Sequence, residues 1–326
     1  MLFWSRIRNY LYDNAFLKSV RPKAFVISAG NLTWGGAGKT SLVIEIGRFL
    51  IGRGSRVAVV SRGYGRSTTG AVVVSKGNAL LDGLPDSSWE RFGDEPFLIA
   101  KELPTAMVVV AGKRIDALPL LDSFSPDVIL LDDAFQHRRI ARDIDLVLID
   151  SSEDITRHRV IPFGKLREGL SSLQRAHAVI LTHAQQAHPA TLAYVRDHLS
   201  VPFFHADYVP EDPESIQGKK LAAICAIAAP EHFYDLLRHN GAGPVLKQSF
   251  RDHHRFSAEE LQAFSRRAIS AGADLVVTTS KDAVRMQWNE RTPGLLVVDV
   301  KLQICEETLF YDFLLERMNH FRNTTQ

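Results

Sequence analysis

The chain is poor in cysteine: Cys225 and Cys305 are its only two, far apart and in apolar surroundings. With no C-x-x-C spacing, neither a zinc knuckle nor a dithiol redox pair is built, and the sparse thiols fit a reducing, cytoplasmic setting. Long hydrophobic runs are also missing. None approaches the ~20 apolar residues of a membrane-spanning helix, and no apolar core with a small-residue cleavage site marks a secretory leader. Net charge is nearly absent: 39 basic against 37 acidic residues leave +2, which gives no nucleic-acid footprint. Internal repeats and low-complexity tracts are lacking, and 45% hydrophobic with 23% charged residues excludes wholesale disorder.

What charge there is lies unevenly. Residues 1–23 carry Arg6, Arg8, Lys18, Arg21 and Lys23 against Asp13 alone, so the rest of the chain is net acidic. The same end is amphipathic. Wound as a helix, Phe3, Trp4, Ile7, Tyr10 and Leu11 share an arc of about 120°, while Ser5, Arg6, Arg8, Asn9 and Asp13 face away. Such a helix suits a membrane interface, and equally a terminal helix packed on its own domain.

Beyond residue 23, apolar runs alternate with helical patterns, the signature of a parallel sheet. "AFVIS", "RVAVVS", "AVVVS", "AMVVVAG", "DVILLDD", "IDLVLID" and "AVILTH" are near-continuous Val/Ile/Leu, as strands buried on both faces require. "SLVIEIGRFLIGRG" and "DEPFLIAKEL" read as helices between them. The stretch "VPFFHADYVPEDPESIQGKK", rich in proline and acid, reads as a connection, and a second βα set follows it. The expectation is an α/β chain in three parts. A short amphipathic helix (1–22) precedes a parallel-sheet domain (23–205), P-loop NTPase-like because its first strand runs into "GGAGKT", and a second, smaller α/β domain (206–326) closes over the nucleotide that this loop is expected to hold.

"NLTWGGAGKTS" follows the first of these strands and opens a helix. G-x-x-x-x-G-K-[ST] places backbone N–H groups at a helix N-terminus around phosphate oxygens, with a lysine for charge and a hydroxyl for Mg²⁺. Gly35, Gly36 and Gly38 permit close backbone approach, Lys39 reaches the β/γ-phosphates, and Thr40 is the metal hydroxyl. The pattern's first glycine is replaced by Thr33. A β-branched residue does not take a positive φ cheaply, so the bend is expected at Gly35–Gly36. An ordinary glycine-rich turn is the plainer reading; the correctly placed G-K-T favours nucleotide binding. Trp34 stands where one class of dimerising regulatory ATPases carries a lysine, which argues against that class.

"DVILLDDAFQHRR" closes a buried strand on Asp132 and Asp133, in the position where strand-end carboxylates hold a nucleotide's Mg²⁺. Gln136 and His137 follow at a spacing that aims them into the same cleft. Asp94, in "GDEPF", precedes a helical run and reads by itself as a helix N-cap.

These segments, with "SRGYGR", "AGKRIDA", "PFGKLREG", "FRDHHRFS" and "TTSKDAVRM", occur in the order seen in tetraacyldisaccharide 4′-kinases, the lipid A 4′-kinases of Gram-negative bacteria, and from about residue 22 to 300 the chain resembles that family. The resemblance implies two α/β/α domains with a hinge and the active site in the cleft between them. It implies ATP and Mg²⁺, and transfer of the γ-phosphate to the 4′-hydroxyl of a tetraacylated glucosamine disaccharide 1-phosphate. It also implies a basic N-terminal helix at the cytoplasmic face of the inner membrane, peripheral on an anionic lipid surface.

Carried over by residue, the loop Thr33, Trp34, Gly35, Gly36, Ala37, Gly38, Lys39 and Thr40 holds nucleotide, with Lys281 of "TTSKD" from the second domain. Thr40, Asp132, Asp133 and Glu168 form the metal side, and Arg114, Arg167, Gln136 and His137 surround the phosphates. Asp94 is paired with a histidine, assigned to His253 with His254 adjacent, and acts as base nearest the hydroxyl. The chain departs from the family's pattern at the flanking positions Ser41, Ala134, Lys165 and Gly169. Two rivals remain: a phosphohydrolase using Asp252, His253 and His254 as metal ligands, and a non-catalytic nucleotide switch.

Overall fold

A computed structural model describes residues 2–77, 88–288 and 294–325. The apolar runs form a sheet: β1 (Phe25–Asn31), β2 (Val57–Ser61), β4 (Met107–Ala111), β5 (Val128–Asp132) and β7 (Ala178–Thr182) are buried at every residue, and β6 (Ile144–Asp150) at all but its last. These six run parallel, as continuous hydrophobicity predicts. β3 (Ala71–Lys76), β8 (Phe203–Pro210) and β13 (Val300–Ile304) complete a nine-stranded sheet of order β13-β8-β7-β6-β1-β5-β2-β4-β3. Both outermost strands, β3 and β13, pair antiparallel.

One face is covered by α2 (Lys39–Gly52), α4 (Asp94–Glu102), which the short α3 (Trp89–Phe92) leads into, and α10 (Glu307–Thr325). The other carries α5 (Leu118–Leu121) and α6 (Pro189–His198) among short 3-10 turns. Ahead of the sheet lies α1 (Leu2–Asp13).

A second sheet of four parallel strands has the order β10-β9-β11-β12. Its strands are β9 (Leu221–Cys225), β10 (Leu246–Ser249), β11 (Leu275–Thr279) and β12 (Leu295–Val298). α7 (Pro230–His239) covers one face and α8 (Ala258–Ser270) the other, while the single turn α9 (Ser280–Ala283) follows β11. α8 starts at a capping box in which Ser257 and Glu260 each accept the other's main-chain N–H.

The division expected at residue 205 is displaced. The proline-rich stretch from residue 201 contains β8, paired to β7 on one side and β13 on the other. The chain then leaves for the small sheet and returns, and α10 buries Phe310, Leu314 and Met318 in the large core. Phe310 meets Phe204 edge-on at 5.2 Å. The small domain is therefore an insertion between β8 and β13, tied by two crossings that bond each other through Glu211 N–H and Asp299 C=O at 2.9 Å. Prolines at both ends of β8 hid it. Pro210 takes its last position, where the lost N–H is tolerated.

Candidate active site

The parallel strands present their carboxyl ends on one edge, where a cleft of about 1360 Å³ separates the two domains. The glycine loop leaves β1 there. Thr33 stays extended, in an antiparallel bridge to Leu166, and Trp34 N–H donates to Lys165 C=O at 2.7 Å. The bend falls at Gly35 (φ 130°) and Gly38 (φ 85°); Gly36 keeps an ordinary φ, which corrects the expectation of a Gly35–Gly36 bend. Gly38 is forced twice, because it caps α2 in the left-handed region and a Cβ there would lie 1.8 Å from Tyr208 Oη. Ala37 is buried against the large core. Lys39 folds toward the loop, with Nζ 3.5 Å from Gly35 C=O and 3.7 Å from Asp133 Oδ1; it lines the cleft with Thr40 and the exposed Trp34.

Asp132 and Asp133 end β5 beside this loop. Asp132 is buried; its Oδ2 accepts from Ser61 Oγ at 2.9 Å, and its Oδ1 has no hydrogen-bond partner among the described residues. Burial, then the charges of Glu95 and Asp133, push its pKa up to about 7. A buried, unpartnered carboxylate oxygen among hydroxyl and carboxylate oxygens fits a hard divalent cation. Asp133, at a left-handed φ of 46°, accepts both its oxygens' bonds from Arg167 Nη1, at 2.8 and 3.0 Å. Burial opposes the Asp133 charge, but Lys39 and Arg167 outweigh it and hold its pKa below the usual range.

Arg114 donates Nη2 to the carbonyls of Asp132 and Asp133, both at 2.9 Å, and its Nη1 faces His137 Nε2 at 3.1 Å. Its guanidinium props the turn behind the acids as well as lining the cleft. Burial, then Arg114, pull the His137 pKa down to about 4, so the ring is neutral and accepts. Gln136 Nε2 donates to Asn31 C=O at 2.8 Å, tying the acidic turn to the end of β1.

Glu168, expected on the metal side, lines the cleft with its carboxylate held by protein donors. It is buried, Oε1 accepts from Arg8, and Oε2 accepts from Asn9 at 3.1 Å and Arg175 at 2.9 Å. Both oxygens accept hydrogen bonds, two of the three donors coming from α1, while the residue still lines the cleft. No sequence pattern announces a partner so distant along the chain.

Across the cleft, Asp94 and His253 meet. His253 Nδ1–H donates to Asp94 Oδ2 at 2.7 Å, and Asp94 Oδ1 accepts from Glu95 N–H at 2.9 Å. Asp94 starts α4, but Gly93 caps it, at φ 96°, with the glycines of "RGYGR" packed so closely that a Cβ would lie 3.0 Å from Gly63 Cα. Asp94 is 3% exposed, and the cleft is lined instead by His253, Asp252 and Glu95. Burial would raise the Asp94 pKa, but the His253 bond, then Lys281 and Arg285, outweigh it and hold it below the ordinary value. His254 turns away, stacking on Phe250 at 4.4 Å and pairing with Glu260.

Lys281, at the start of α9, sits 3.4 Å from both Glu95 and Asp252. Burial works against its charge, but Glu95, Asp252 and Asp94 hold its pKa above the ordinary value. Glu95 and Ser61 are cleft residues carried by "GDEP" and "SRGYGR" without an expected role, and Asp252, expected only as a metal ligand of the phosphohydrolase alternative, lines the cleft as well.

Three comparisons bear on this arrangement. The family model described as LpxK, tetraacyldisaccharide-1-P 4′-kinase, matches residues 1–319. The tetraacyldisaccharide 4′-kinase of Anaeromyxobacter dehalogenans (strain 2CP-C) is 40% identical over 296 residues, 86% of this chain and 77% of that protein. That of Chlorobium phaeovibrioides is 37% identical over 308 residues, 90% of this chain and 86% of its own. Among solved structures, LpxK from Aquifex aeolicus in complex with ATP superposes with a TM-score of 0.75 at 29% identity, covering 96% of this chain and 94% of that one.

Proposed function

The chain belongs to the tetraacyldisaccharide-1-phosphate 4′-kinase family, ATP-dependent lipid kinases of lipid A biosynthesis, and from that premise we propose how its cleft performs the transfer. The loop from Thr33 to Thr40 binds the ATP phosphates through its main-chain N–H groups, and Lys39 places its charge beside them. Magnesium, when bound, would be held by Asp132 with Asp133 and Thr40 beside it, and supplies charge neutralisation on the phosphates. Arg167 and Arg114 fix the two acids, and Lys281 with Glu95 brings the small domain to the nucleotide side.

The observation that carries the mechanism is the 2.7 Å bond between Asp94 and His253. With Nδ1–H donated to the carboxylate, Nε2 is the ring nitrogen left to accept a proton; it lies 3.6 Å from Asp252 Oδ2, and both residues line the cleft. His253 then accepts the proton of the 4′-hydroxyl as the bond to phosphorus forms, and Asp94 holds the ring in the competent tautomer and stabilises the imidazolium. This reverses the order expected from sequence, in which Asp94 stood nearest the hydroxyl; its burial and its two occupied oxygens favour His253 as the group that meets substrate.

At the membrane, no described helix is long and apolar enough to cross a bilayer. Tyr10 on α1, with Phe16, Leu17 and Val20 after it, leaves apolar surface exposed near basic residues. That pattern supports peripheral contact with an anionic cytoplasmic leaflet, where the acylated substrate resides.

The test is direct: incubate the protein with γ-labelled ATP, Mg²⁺ and the disaccharide 1-phosphate, and measure label in the lipid fraction. Label is expected there. ATP binding without transfer would favour the nucleotide switch, and phosphoester cleavage without ATP the phosphohydrolase.

A further inference from the structure

Asp150, His183 and His232 converge where the two domains meet, and the phosphate chemistry above uses none of them. Asp150 ends β6, His183 follows β7, and His232 lies on α7 of the small domain. Asp150 Oδ1 accepts from Ser152 N–H at 3.1 Å, from Ser152 Oγ at 2.7 Å, and from His183 Nδ1 at 3.0 Å. Its Oδ2 faces His232 Nδ1 at 3.9 Å, beyond hydrogen-bond reach. The two imidazoles approach to 3.8 Å between centroids at 47°. One ligand atom from each of the three residues lies within 4.8 Å of the others.

We propose that these three side chains bind a divalent transition metal, zinc foremost, and that the ion bridges the two domains. Two imidazoles and a carboxylate are the three-ligand set of a tetrahedral zinc site with its fourth position open. Imidazole selects zinc, copper or nickel over magnesium, so this site is chemically distinct from the all-oxygen pocket at Asp132. Ligand atoms about 2.0–2.1 Å from a tetrahedral ion lie roughly 3.3 Å from one another, so the present spread closes by a small inward shift. The Ser152 N–H and hydroxyl hold the carboxylate from behind, as outer-shell donors do.

A simple polar seam explains the Asp150–His183 bond. It does not explain why a second imidazole is brought against the first while Asp150 Oδ2 remains out of hydrogen-bond range of His232. His183 also leaves β7 at φ 54°, a left-handed conformation that side chains other than glycine adopt uncommonly, and its ring lies against the other two groups there. A bound ion ties α7 to the edge of the large sheet and so fixes how far the cleft opens.

The test uses full-length protein stripped with chelator, titrated calorimetrically with Zn²⁺ alone. One tight equivalent is expected. His183→Ala and His232→Ala should each weaken it by more than the roughly 10- to 100-fold that losing an outer-shell partner costs. His232→Gln is decisive for the bridge, because the change is on the small domain and on a partly exposed side chain; it carries the test alone if His183→Ala does not fold. Co²⁺ should give the visible bands of a tetrahedral site in the wild type and lose them in His232→Gln. Absence of a stoichiometric zinc, or equal affinity in wild type and His232→Gln, overturns the proposal.

Discussion

His253 Nδ1 donates to Asp94 Oδ2 at 2.7 Å across the seam between the inserted domain and the large sheet, so the pair forms only when the two domains are together. Alanine at His253 should lower kcat by about 10²- to 10⁴-fold with ATP affinity little changed. Asp94→Asn should cost a similar factor, because an amide there can stabilise the wrong imidazole tautomer. If the two act as one unit, the double variant is hardly worse than the poorer single one. Steady-state kinetics with ATP-binding calorimetry on all three decides this. Additive losses would separate the roles, and a dead His254→Ala beside an active His253→Ala would move the base to the neighbouring ring.

Lys39 is the proposed cation of the phosphate loop. Its side chain touches Gly35 C=O and Asp133, and Asp133 keeps its Arg167 bonds when the lysine is removed. Lys39→Ala should therefore retain the wild-type thermal midpoint while abolishing transfer to lipid. Near-normal label incorporation by that variant would mean that the loop is not the phosphate site.

Gly38→Ala tests the cradle's shape. A left-handed non-glycine residue costs about 1–2 kcal/mol by itself. The added methyl also meets Tyr208 Oη at 1.8 Å, an overlap of the kind that costs roughly 1–3 kcal/mol when neighbours must shift. Tyr208→Phe removes that oxygen and leaves the nearest ring carbon at 3.0 Å, so the double variant should recover part of the stability and less of the ATP affinity. Denaturant midpoints and ATP titrations of both singles and the double check it; a Gly38→Ala protein indistinguishable from wild type would refute the steric account.

What was legible in the sequence was local. Buried parallel strands announce themselves by unbroken Val/Ile/Leu, and G-K-T at the start of a helix or two aspartates at the end of β5 carry their chemistry in adjacent residues. What was hidden depends on partners far along the chain. β8 is mostly half-buried and ends on a proline, and its second half is paired only by β13, almost a hundred residues later. Glu168 sits in a run that resembles a metal motif, and its hydrogen bonds to Arg8 and Asn9 of α1 come from some 160 residues away. The closeness of Asp94 and His253 came from family likeness; that the carboxylate is buried beside His253 and Arg285 depends on partners more than 150 residues away, which no spacing encodes.

The N-terminal helix is docked by its polar side. Arg8 and Asn9 bind Glu168, while Arg138 pairs with Asp13 at 2.7 Å and lies over the Tyr12 ring at 5.0 Å. The side chains of Phe3 and Trp4 lie outside the described residues. Arg8 is thus engaged by the protein, and Arg6 and Lys18 are exposed basic residues available for the proposed lipid contact. Deleting residues 1–20 should weaken binding to anionic vesicles, and high salt should weaken the intact protein's binding too. Arg6→Glu and Lys18→Glu should each weaken it by at least the ~1 kcal/mol that one basic residue contributes near an anionic surface, about fivefold. Arg8→Ala should leave vesicle affinity nearly unchanged and lower stability, since it strands part of a buried carboxylate. Burial opposes the Glu168 charge, but Arg175, Asn9 and Arg8 outweigh it and hold its pKa below the ordinary 4.5. A depressed folded-state pKa stabilises above the unfolded value and is lost as pH falls through the folded one, so the helix should stay docked at neutral pH and loosen only in acid below 4.5. Vesicle sedimentation and acid titration of α1 protease protection measure the two halves separately; equal partitioning of full-length and truncated protein would return the helix to a purely structural role.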